Sequence, residues 1–420
     1  MALTETTTTP PANMAAGAHA ARRSGVEHKP TRAFVPDPYL DLATYSADAD
    51  LLTLSLGPQH PSTHGVFRVV LYLDGELIVK AVPHVGYLHR GVEKLCEKLS
   101  YSNITPILDK NDYVAPMCNE QAANMAFEKL MKIEVPLRSK FLRTLLAELQ
   151  RIASHLLWLG TFAMDLGGAL GGGTSVFMYC FRERELILDL FEELTGCRFH
   201  YNTHCVGGNR HDIPAGFPAL VHQTLNVIES RLSEYLGMLE HPIFRDRTRG
   251  IGTVDAELAL ELGLSGPLLR ASGIDHDLRR DAPYHIYDLL DVRVATDDAG
   301  DCLARYKVRL EEIRESIRLC RLLVDNIPAG PICSTKPLSN VVQFKVAAGQ
   351  AYVAIESPRG ELGTWLIAGG NKGQSPYRMK IRPPSLHALA AVPYLFPRHT
   401  LSDAIAILGS LDPIMGEADR

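Results

Sequence analysis

An apolar stripe at helical spacing, near the middle of the chain, most restricts the fold. From Leu142 to Leu157, leucine, isoleucine and alanine recur three or four residues apart. Such residues share one face of an α-helix, and that face needs covering by other elements. A second stripe, from Leu303 to Cys320, repeats about every 3.5 residues and predicts a long helix packed along its length. The two stripes predict a core of packed helices.

Weaker helical patterns extend this core. They lie at about 88–101, 117–132, 177–195 and 215–240. We therefore expect an α-helical bundle over residues 88–340.

A β-hairpin is expected before the bundle, within residues 51–87. The run VFRVVLYLDGELIVKAV (66–82) alternates apolar residues around Asp74-Gly75, a pair that favours a two-residue hairpin turn. This hairpin places His64 at the base of its first strand and His84 just past its second.

The pattern changes again after residue 340. Short runs separated by glycine-rich breaks predict a second small sheet, and two short helices follow it. The runs are VVQFKVAA, AYVAIES, GTWLIAG and YRMKIRPP, and the helical segments are PSLHALAAV and LSDAIAIL. The predicted fold class is α+β, with a central helical bundle, an N-terminal β-hairpin sheet and a small sheet in the C-terminal region, residues 341–420.

The first 50 residues differ in composition from this core. They contain a threonine run, prolines and many small residues, without an apolar segment, and such a composition predicts a disordered or extended tail. A mitochondrial transit peptide is the weaker interpretation, because the segment carries Glu5 and Glu27 and has no regular amphipathic pattern.

Composition argues against several function classes. The chain has 420 residues, a formal net charge of −5 and a pI of about 6.3, so it lacks the basic surface that nucleic-acid binding requires. There is no Walker A loop and no GxGxxG motif, which argues against nucleotide or NADH binding.

The eight cysteines predict neither disulfides nor a metal centre. They are spread along a chain without a secretion signal, and no CxxC, CxxxC or CxxCH spacing occurs. We expect reduced thiols, and no iron–sulfur cluster, zinc ribbon or attached haem on this chain.

The most apolar stretch is not expected to cross a membrane. It covers residues 156–181, and Asp165 together with a glycine cluster interrupts it. Its glycine and apolar side chains would suit the wall of a site for a lipophilic ligand.

Two histidines lie in the segment LSLGPQHPSTHGVFRVV (54–70). His60 and His64 have the spacing of a helical zinc site, but the prolines and glycines around them predict a turn instead. For His60, capping of this turn is an equally good interpretation as binding.

This segment and three others carry a family resemblance. The others are PHVGYLHRGVEKL (83–95), NDYVAPMCNEQ (111–121) and SLDPIMGEADR (410–420). With them, residues 51–420 resemble the D-type subunit, also called the 49-kDa-type subunit, of respiratory complex I (NADH:quinone oxidoreductase). The resemblance implies a peripheral-arm protein that forms a quinone headgroup site with a cluster-bearing partner, transfers electrons from the terminal iron–sulfur cluster to quinone and couples this step to proton pumping.

The resemblance assigns candidate catalytic residues. In that family, the histidine of a His-Gly dipeptide and the tyrosine of an Asp-Tyr dipeptide form hydrogen bonds with the quinone. In this sequence the resemblance implies His64 and Tyr113. Asp165 matches the carboxylate that the family pairs with this histidine. Quinone reduction needs two protons, and an imidazole with a pKa of about 6.5 and a phenol of about 10 are suitable donors.

Two further residues are assigned to the part of the site that faces the partner's iron–sulfur cluster. The resemblance places His200 and Arg90 near the partner's terminal iron–sulfur cluster, where positive charge favours the reduced form. A plain surface role for His200 stays open, because His204 and His211 make this loop rich in histidine.

The same family is related to the large subunit of [NiFe] hydrogenases, which implies a hydrogenase-like fold. Four thiolates hold nickel and iron there, whereas Ile414, Glu417 and Arg420 occupy the C-terminal ligand positions here, and Asp112 and Ala115 the N-terminal ones. No nickel site is expected with these residues, and the vacated cavity would accept the quinone headgroup. The glycine-rich stretch after Asp165 is longer than the family leads us to expect.

The resemblance also implies partners and location. The partners are quinone and, within complex I, the B-type subunit with the terminal cluster, the C-type and I-type subunits and the H-type membrane subunit, while FMN and the clusters are held by other chains. The expected location is peripheral, on the cytoplasmic side of a bacterial membrane or on the matrix side of the mitochondrial inner membrane. The competing interpretations are a metal-bearing hydrogenase subunit, against which the cysteine spacing argues, and a structural scaffold that no longer reduces quinone.

Overall fold

The computed structural model describes residues 51–167, 173–334 and 344–420. The predicted tail over residues 1–50 lies outside these ranges, and so does most of the glycine-rich stretch that follows Asp165.

An antiparallel sheet of three strands begins the described chain. Its strands are β1 (Leu52–Leu56), β2 (Arg68–Asp74) and β3 (Leu77–His84), in the order β1-β2-β3. Alternate residues of β2 are buried, which agrees with its alternating sequence. The predicted hairpin is therefore present, but its turn consists of Gly75 and Glu76, one residue later than expected, since Asp74 pairs with Leu77. The prediction missed β1.

Long helices form the centre of the protein. The longest, α4 (Leu137–Asp165), packs against α5 (Gly173–Thr195) and against α11 (Cys302–Asp325), and their apolar stripes meet in one large hydrophobic core. The helices up to this point are α1 (Val92–Cys96), α2 (Tyr101–Leu108), α3 (Pro116–Met131), α4 (Leu137–Asp165) and α5 (Gly173–Thr195). The predicted apolar stripe of residues 142–157 lies within α4, which extends further at both ends.

Shorter elements connect this core to the last long helix. They are β4 (His204–Cys205), β5 (Gly208–Asn209), α6 (Phe217–Gly237), α7 (Pro242–Asp246), α8 (Ala256–Glu261), α9 (Pro267–Arg270) and α10 (Leu278–Asp281), and the long helix is α11 (Cys302–Asp325). The prediction of one helix over residues 88–101 was wrong: α1 ends at Cys96, and α2 begins only at Tyr101. The predicted helix at 303–320 lies within α11.

A second three-stranded antiparallel sheet forms most of the C-terminal region. Its strands are β6 (Gly349–Ser357), β7 (Gly360–Ala368) and β8 (Arg378–Arg382), and the helices after them are α12 (Pro384–Ala390), α13 (Val392–Leu395), α14 (Leu401–Leu411) and α15 (Met415–Ala418). The first predicted run, VVQFKVAA, forms no strand over its described residues 344–348. The mixed α+β class is confirmed.

None of the helices in the described part of the chain is both long enough and apolar enough to span a membrane.

Candidate functional site

The turn between β1 and β2 carries both predicted histidines. It is a single 3₁₀ turn, Pro61–Thr63, with His60 before it and His64 after it. The Nδ1 atom of His60 accepts a hydrogen bond from the backbone N–H of Ser62 at 3.2 Å, and the Thr63 hydroxyl donates to the His60 carbonyl at 2.6 Å. His60 therefore caps the turn. His64 adopts a left-handed backbone conformation with a φ of 52°.

His64 forms an ion pair with the carboxylate at the end of the longest helix. The Nε2 atom of His64 lies 2.6 Å from Oδ2 of Asp165, the last residue of α4, and both side chains are largely buried. Burial alone lowers the pKa of His64, but the hydrogen bond and the charge of Asp165 outweigh it, so the pKa is raised above its usual value of 6.5. The imidazolium form is favoured because it offsets a carboxylate beside the negative end of a helix dipole.

Tyr113 faces the same space from the turn that precedes α3. The carboxylate of the preceding Asp112 accepts hydrogen bonds from the backbone N–H groups of Val114 and Ala115, at 3.0 and 3.1 Å, and so holds this loop. Burial raises the pKa of the Tyr113 phenol. Its hydroxyl makes no hydrogen bond to any residue that the structure describes, so it remains free to donate to a ligand.

These three side chains line one cavity of about 330 Å³. Its wall combines a few polar groups with apolar side chains, as is usual for a site that binds a small organic molecule. The other lining residues are Pro61, Ser62, Leu157, Thr161, Met164, Phe177, Ile405, Asp412 and Ile414.

A buried arginine joins two acids behind this cavity. Arg359, at the turn between β6 and β7, donates to Oδ2 of Asp112 at 2.7 Å and to Oδ1 of Asp412 at 3.2 Å. Asp412 is itself a lining residue. The sequence prediction missed Arg359, for which no local pattern gave a signal, whereas Asp412 belongs to the recognised segment SLDPIMGEADR.

Glu417 is a second buried acid near this group. Its Oε1 atom accepts hydrogen bonds from the backbone N–H of Ser385, at 3.0 Å, and from the Ser385 hydroxyl. Burial, together with the charge of Asp112, raises the pKa of Glu417 to about 7 against the opposing charge of Arg359. Glu417 therefore holds a proton in mildly acidic solution.

The two residues predicted for the cluster side do not line the cavity. His200 has a left-handed φ of 61°, and its Nδ1 atom lies 3.5 Å from Oδ2 of Asp109. Arg90 donates to the carbonyl oxygens of Lys110 and Gly416, at 3.1 and 3.2 Å. Burial lowers the pKa of Arg90. The structure thus brings together three of the five predicted site residues.

Metal ligands are not grouped in this region. In residues 51–167, 173–334 and 344–420, no set of three or more histidine, cysteine, aspartate or glutamate side chains is arranged to hold a metal ion. All eight cysteines are free thiols.

Comparison with known proteins gives consistent matches. A family model described as the 49 Kd subunit of respiratory-chain NADH dehydrogenase matches residues 171–420. The chain is 45% identical over 390 residues to the D 2 subunit of the NADH-quinone oxidoreductase of Rhizobium etli, a match that covers 87% of this chain and 95% of the relative. It is 41% identical to the D subunit of the NADH-quinone oxidoreductase of Geotalea uraniireducens, a match that covers 89% of this chain and 100% of the relative. It is 42% identical to the D subunit of Methylacidiphilum infernorum, a match that covers 89% of this chain and 93% of the relative.

Proposed function

Because the chain belongs to the family of the 49-kDa subunit of respiratory-chain NADH dehydrogenase, we propose that it forms the quinone headgroup site of an NADH-quinone oxidoreductase. The observation that carries this proposal is the single cavity shared by His64, Tyr113 and Asp165. These residues lie far apart in the sequence and converge on one partly apolar space.

Quinone is the substrate, and this chain supplies its protons. Reduction to quinol takes up two electrons and two protons. The two proton donors are the imidazolium of His64 and the phenol of Tyr113, which reach the two developing oxyanions. His64 is suited to this role because its contact with Asp165 raises its pKa and so favours the protonated form.

Loss of the His64 proton changes the energy of Asp165. Once the imidazole is neutral, the Asp165 carboxylate remains largely buried at the C-terminal end of α4 without a cationic partner. An unpaired buried charge is costly in free energy. The surrounding elements therefore rearrange to lower the free energy of this carboxylate. We propose that this rearrangement is the first step in coupling quinone reduction to proton translocation.

Two residues, His200 and Arg90, are assigned to the place where electrons leave the partner's cluster for the quinone. We assign His200 and Arg90 to positions near the terminal iron–sulfur cluster of the B-type partner, where they favour its reduced form. Arg90 is suited to a fixed position because three hydrogen bonds hold its guanidinium, the third to Asn111 at 3.3 Å.

The finer assignments follow from the same family relation. The C-type, I-type and H-type subunits are the further partners, and FMN and the clusters belong to other chains of the complex. The chain is a peripheral membrane protein on the cytoplasmic side of a bacterial membrane, or on the matrix side of a mitochondrial one. The fold is of the [NiFe]-hydrogenase large-subunit type, with the quinone headgroup in the place of the metals.

The donor role of Tyr113 is tested with Tyr113→Phe in the assembled complex. Removal of a proton donor is expected to lower the rate of short-chain quinone reduction by about 100-fold or more, since general acid catalysis contributes that much. The matched control is Tyr377→Phe, because Tyr377 is 70% exposed and is not among the residues that line the cavity. A Tyr113→Phe complex that reduces the quinone at the parental rate would contradict the proposal.

A further inference from the structure

The indole of Trp158 joins the two helices that end at the cavity. Trp158 is fully buried in α4, and its Nε1–H donates a hydrogen bond to the carbonyl oxygen of Gly409, in α14, at 2.8 Å. The helix α4 ends at Asp165, and α14 ends at Leu411, directly before the lining residue Asp412. A single side chain therefore connects the C-terminal part of one helix to that of the other.

The carbonyl of Gly409 lacks its usual partner within α14. In an α-helix a carbonyl oxygen accepts from the backbone N–H four residues later, but that residue is Pro413, which has no N–H. The N–H of Asp412 is 3.3 Å away, which is longer than the usual N–H···O distance. Because a carbonyl at a buried helix end is costly without a partner, the shorter bond from Trp158 stabilises this end of α14.

The same glycine lies against the carboxylate of Asp165. A Cβ on Gly409 would collide with Oδ2 of Asp165 and would lie 3.3 Å from the ring of Phe162. Oδ2 is also the atom that contacts Nε2 of His64 at 2.6 Å. The backbone of Gly409 therefore limits where this oxygen can lie, and the hydrogen bond from Trp158 fixes that backbone.

Two neighbours hold the indole ring in one orientation. Phe162, one turn later in α4, stacks on it with ring centroids 5.0 Å apart and an angle of 10° between the ring planes. The guanidinium of Arg309, in α11, lies 4.0 Å from the centre of the indole ring. A cation over the face of an indole is attracted by the ring, and more strongly where water is excluded. Contacts from both α4 and α11 therefore direct the N–H of Trp158 toward α14.

Among the neighbouring charges, Asp165 has the largest effect on His64. Burial lowers the pKa of His64, whereas the hydrogen bond and charge of Asp165 and the charge of Asp412 raise it. The charge of Arg359 lowers it. The remaining titratable group of the lining, the phenol of Tyr113, has a raised pKa and is neutral near pH 7. A weaker contact between Asp165 and His64 would therefore lower the pKa of His64.

We propose that Trp158 is a positioning residue, whose hydrogen bond to α14 holds the Asp165 carboxylate in contact with the imidazole of His64. Trp158 does not line the cavity, so it acts through Asp165 and does not touch the quinone. The proposal rests on the proton-donor role proposed above for His64.

The test measures the rate of quinone reduction as a function of pH in the intact complex. Trp158→Phe removes the N–H donor. Replacement of Trp158 by benzothienylalanine, in which sulfur takes the place of the N–H, removes the donor at nearly unchanged ring size. Because only protonated His64 donates, the rate falls as the pH rises through its pKa. We expect both variants to move this fall to lower pH by about one unit, since an opposite charge in contact shifts a pKa by about that much or more.

The matched control is Tyr306→Phe. Tyr306 is 1% exposed in α11, and its hydroxyl donates to the backbone carbonyl of Tyr235 at 2.9 Å, so this variant also loses one buried donor to a carbonyl. It should retain the parental pH profile, and a shift equal to that of the Trp158 variants would overturn the proposal. A parental profile in the benzothienylalanine variant would also overturn it, because a shift in Trp158→Phe alone would come from the lost ring volume.

A separate variant tests the proposed function itself. If Asp165→Asn retains the parental pH profile, the proposed role of the ion pair in proton donation is wrong. The positioning by Trp158 is then decided by cryo-electron microscopy of the benzothienylalanine variant. A map in which Nε2 of His64 and Oδ2 of Asp165 are no longer within hydrogen-bond distance supports the positioning, and a map that retains this contact overturns it.

Discussion

Two groups of buried acids in this protein have opposite electrostatic properties. One group lies in the helical core, between α4, α11 and the β6–β7 sheet, and the other lies around the cavity and the His200 loop. Members of both groups are almost fully excluded from solvent. The difference is that every acid of the core group contacts an arginine, whereas several acids of the second group contact none in the part of the chain that the structure describes.

The core acids are paired with arginine. Arg270 donates to Glu312 at 2.9 Å and to Glu356 at 2.8 Å, and Arg279 donates to Asp277 at 2.7 Å and to Glu148 at 3.1 Å. Burial alone raises the pKa of an acid, but these guanidinium groups outweigh it and lower the pKa of Glu148, Asp277 and Glu312. Glu356 is the exception, because the nearby charge of Asp277 adds to its burial and raises its pKa.

Three acids near the proposed sites, Asp109, Glu120 and Glu417, form no ion pair with an arginine among the described residues. Burial raises the pKa of Asp109, Asp112, Glu120 and Glu417, and the single Arg359 serves both Asp112 and Asp412. Among them, Glu417 has a pKa raised to about 7, so it gains or loses its proton near neutral pH. We infer that the arginine-paired acids of the core contribute to stability.

The largest expected effect concerns the core network. Arg270→Leu leaves Glu312 and Glu356 without their shared cation, so we expect the free energy of unfolding to fall by about 3–5 kcal/mol. Proteolysis of the chain in the purified complex at increasing denaturant measures this loss. The control is Arg280→Leu, whose partially exposed ion pairs contribute about 1 kcal/mol or less. Equal losses of unfolding free energy in the two variants would show that the buried ion pairs of the core contribute no more to stability than the exposed ones.

The second prediction concerns the pH dependence of stability at Glu417. Its native pKa of about 7 exceeds the unfolded value of 4.5, so its contribution is fully present below 4.5 and is lost as the pH rises through 7. Relative to Glu417→Gln, the parent is expected to lose roughly 3 kcal/mol over this range.

The same proteolysis experiment, repeated from pH 4 to 8, measures that difference. Glu76→Gln, at the exposed turn between β2 and β3, is the control and should follow the parent at every pH. A constant difference between Glu417→Gln and the parent would assign Glu417 to the paired group of acids.

The smallest expected effect is that of a variant beside the cavity, which should lower activity while leaving stability almost unchanged. A side chain on Gly409, within α14, would meet the Asp165 carboxylate oxygen that binds His64. Gly409→Ala is therefore expected to displace Asp165 and to lower the rate of quinone reduction about tenfold. Its free energy of unfolding should change by only about 1 kcal/mol or less, because alanine favours the helix.

A second glycine provides the control for this variant. Gly237, at the end of α6, has no atom within 4 Å of the position that a Cβ would occupy. Gly237→Ala should retain the parental rate. Parental activity in Gly409→Ala would show that the contact between His64 and Asp165 is not needed for turnover.

Local patterns allowed much of the fold to be predicted. The stripes at 142–157 and 303–320 and the alternation at 66–82 each specify a helix or strand, because the period of apolar residues follows from backbone geometry. The capping role of His60 was also among the expectations, since it depends on a bond to a residue two positions away. The strand β1 was missed because its identity depends on pairing with β2.

The candidate site was only partly accessible from sequence. Family motifs singled out His64, Tyr113 and Asp165, and the structure adds that they line one cavity. Nothing in the local sequence pointed to Arg359, which lies 247 residues from Asp112.

The sequence by itself determined the long helices, the hairpin of β2 and β3, the turn that carries the histidines, and the residue types available for proton transfer. Only the tertiary structure decided which buried acids are paired with arginine and which retain a proton. The physical reason is that the pKa of a buried group depends on its distance to charges from other parts of the chain and on the exclusion of water, and both arise only when the elements pack.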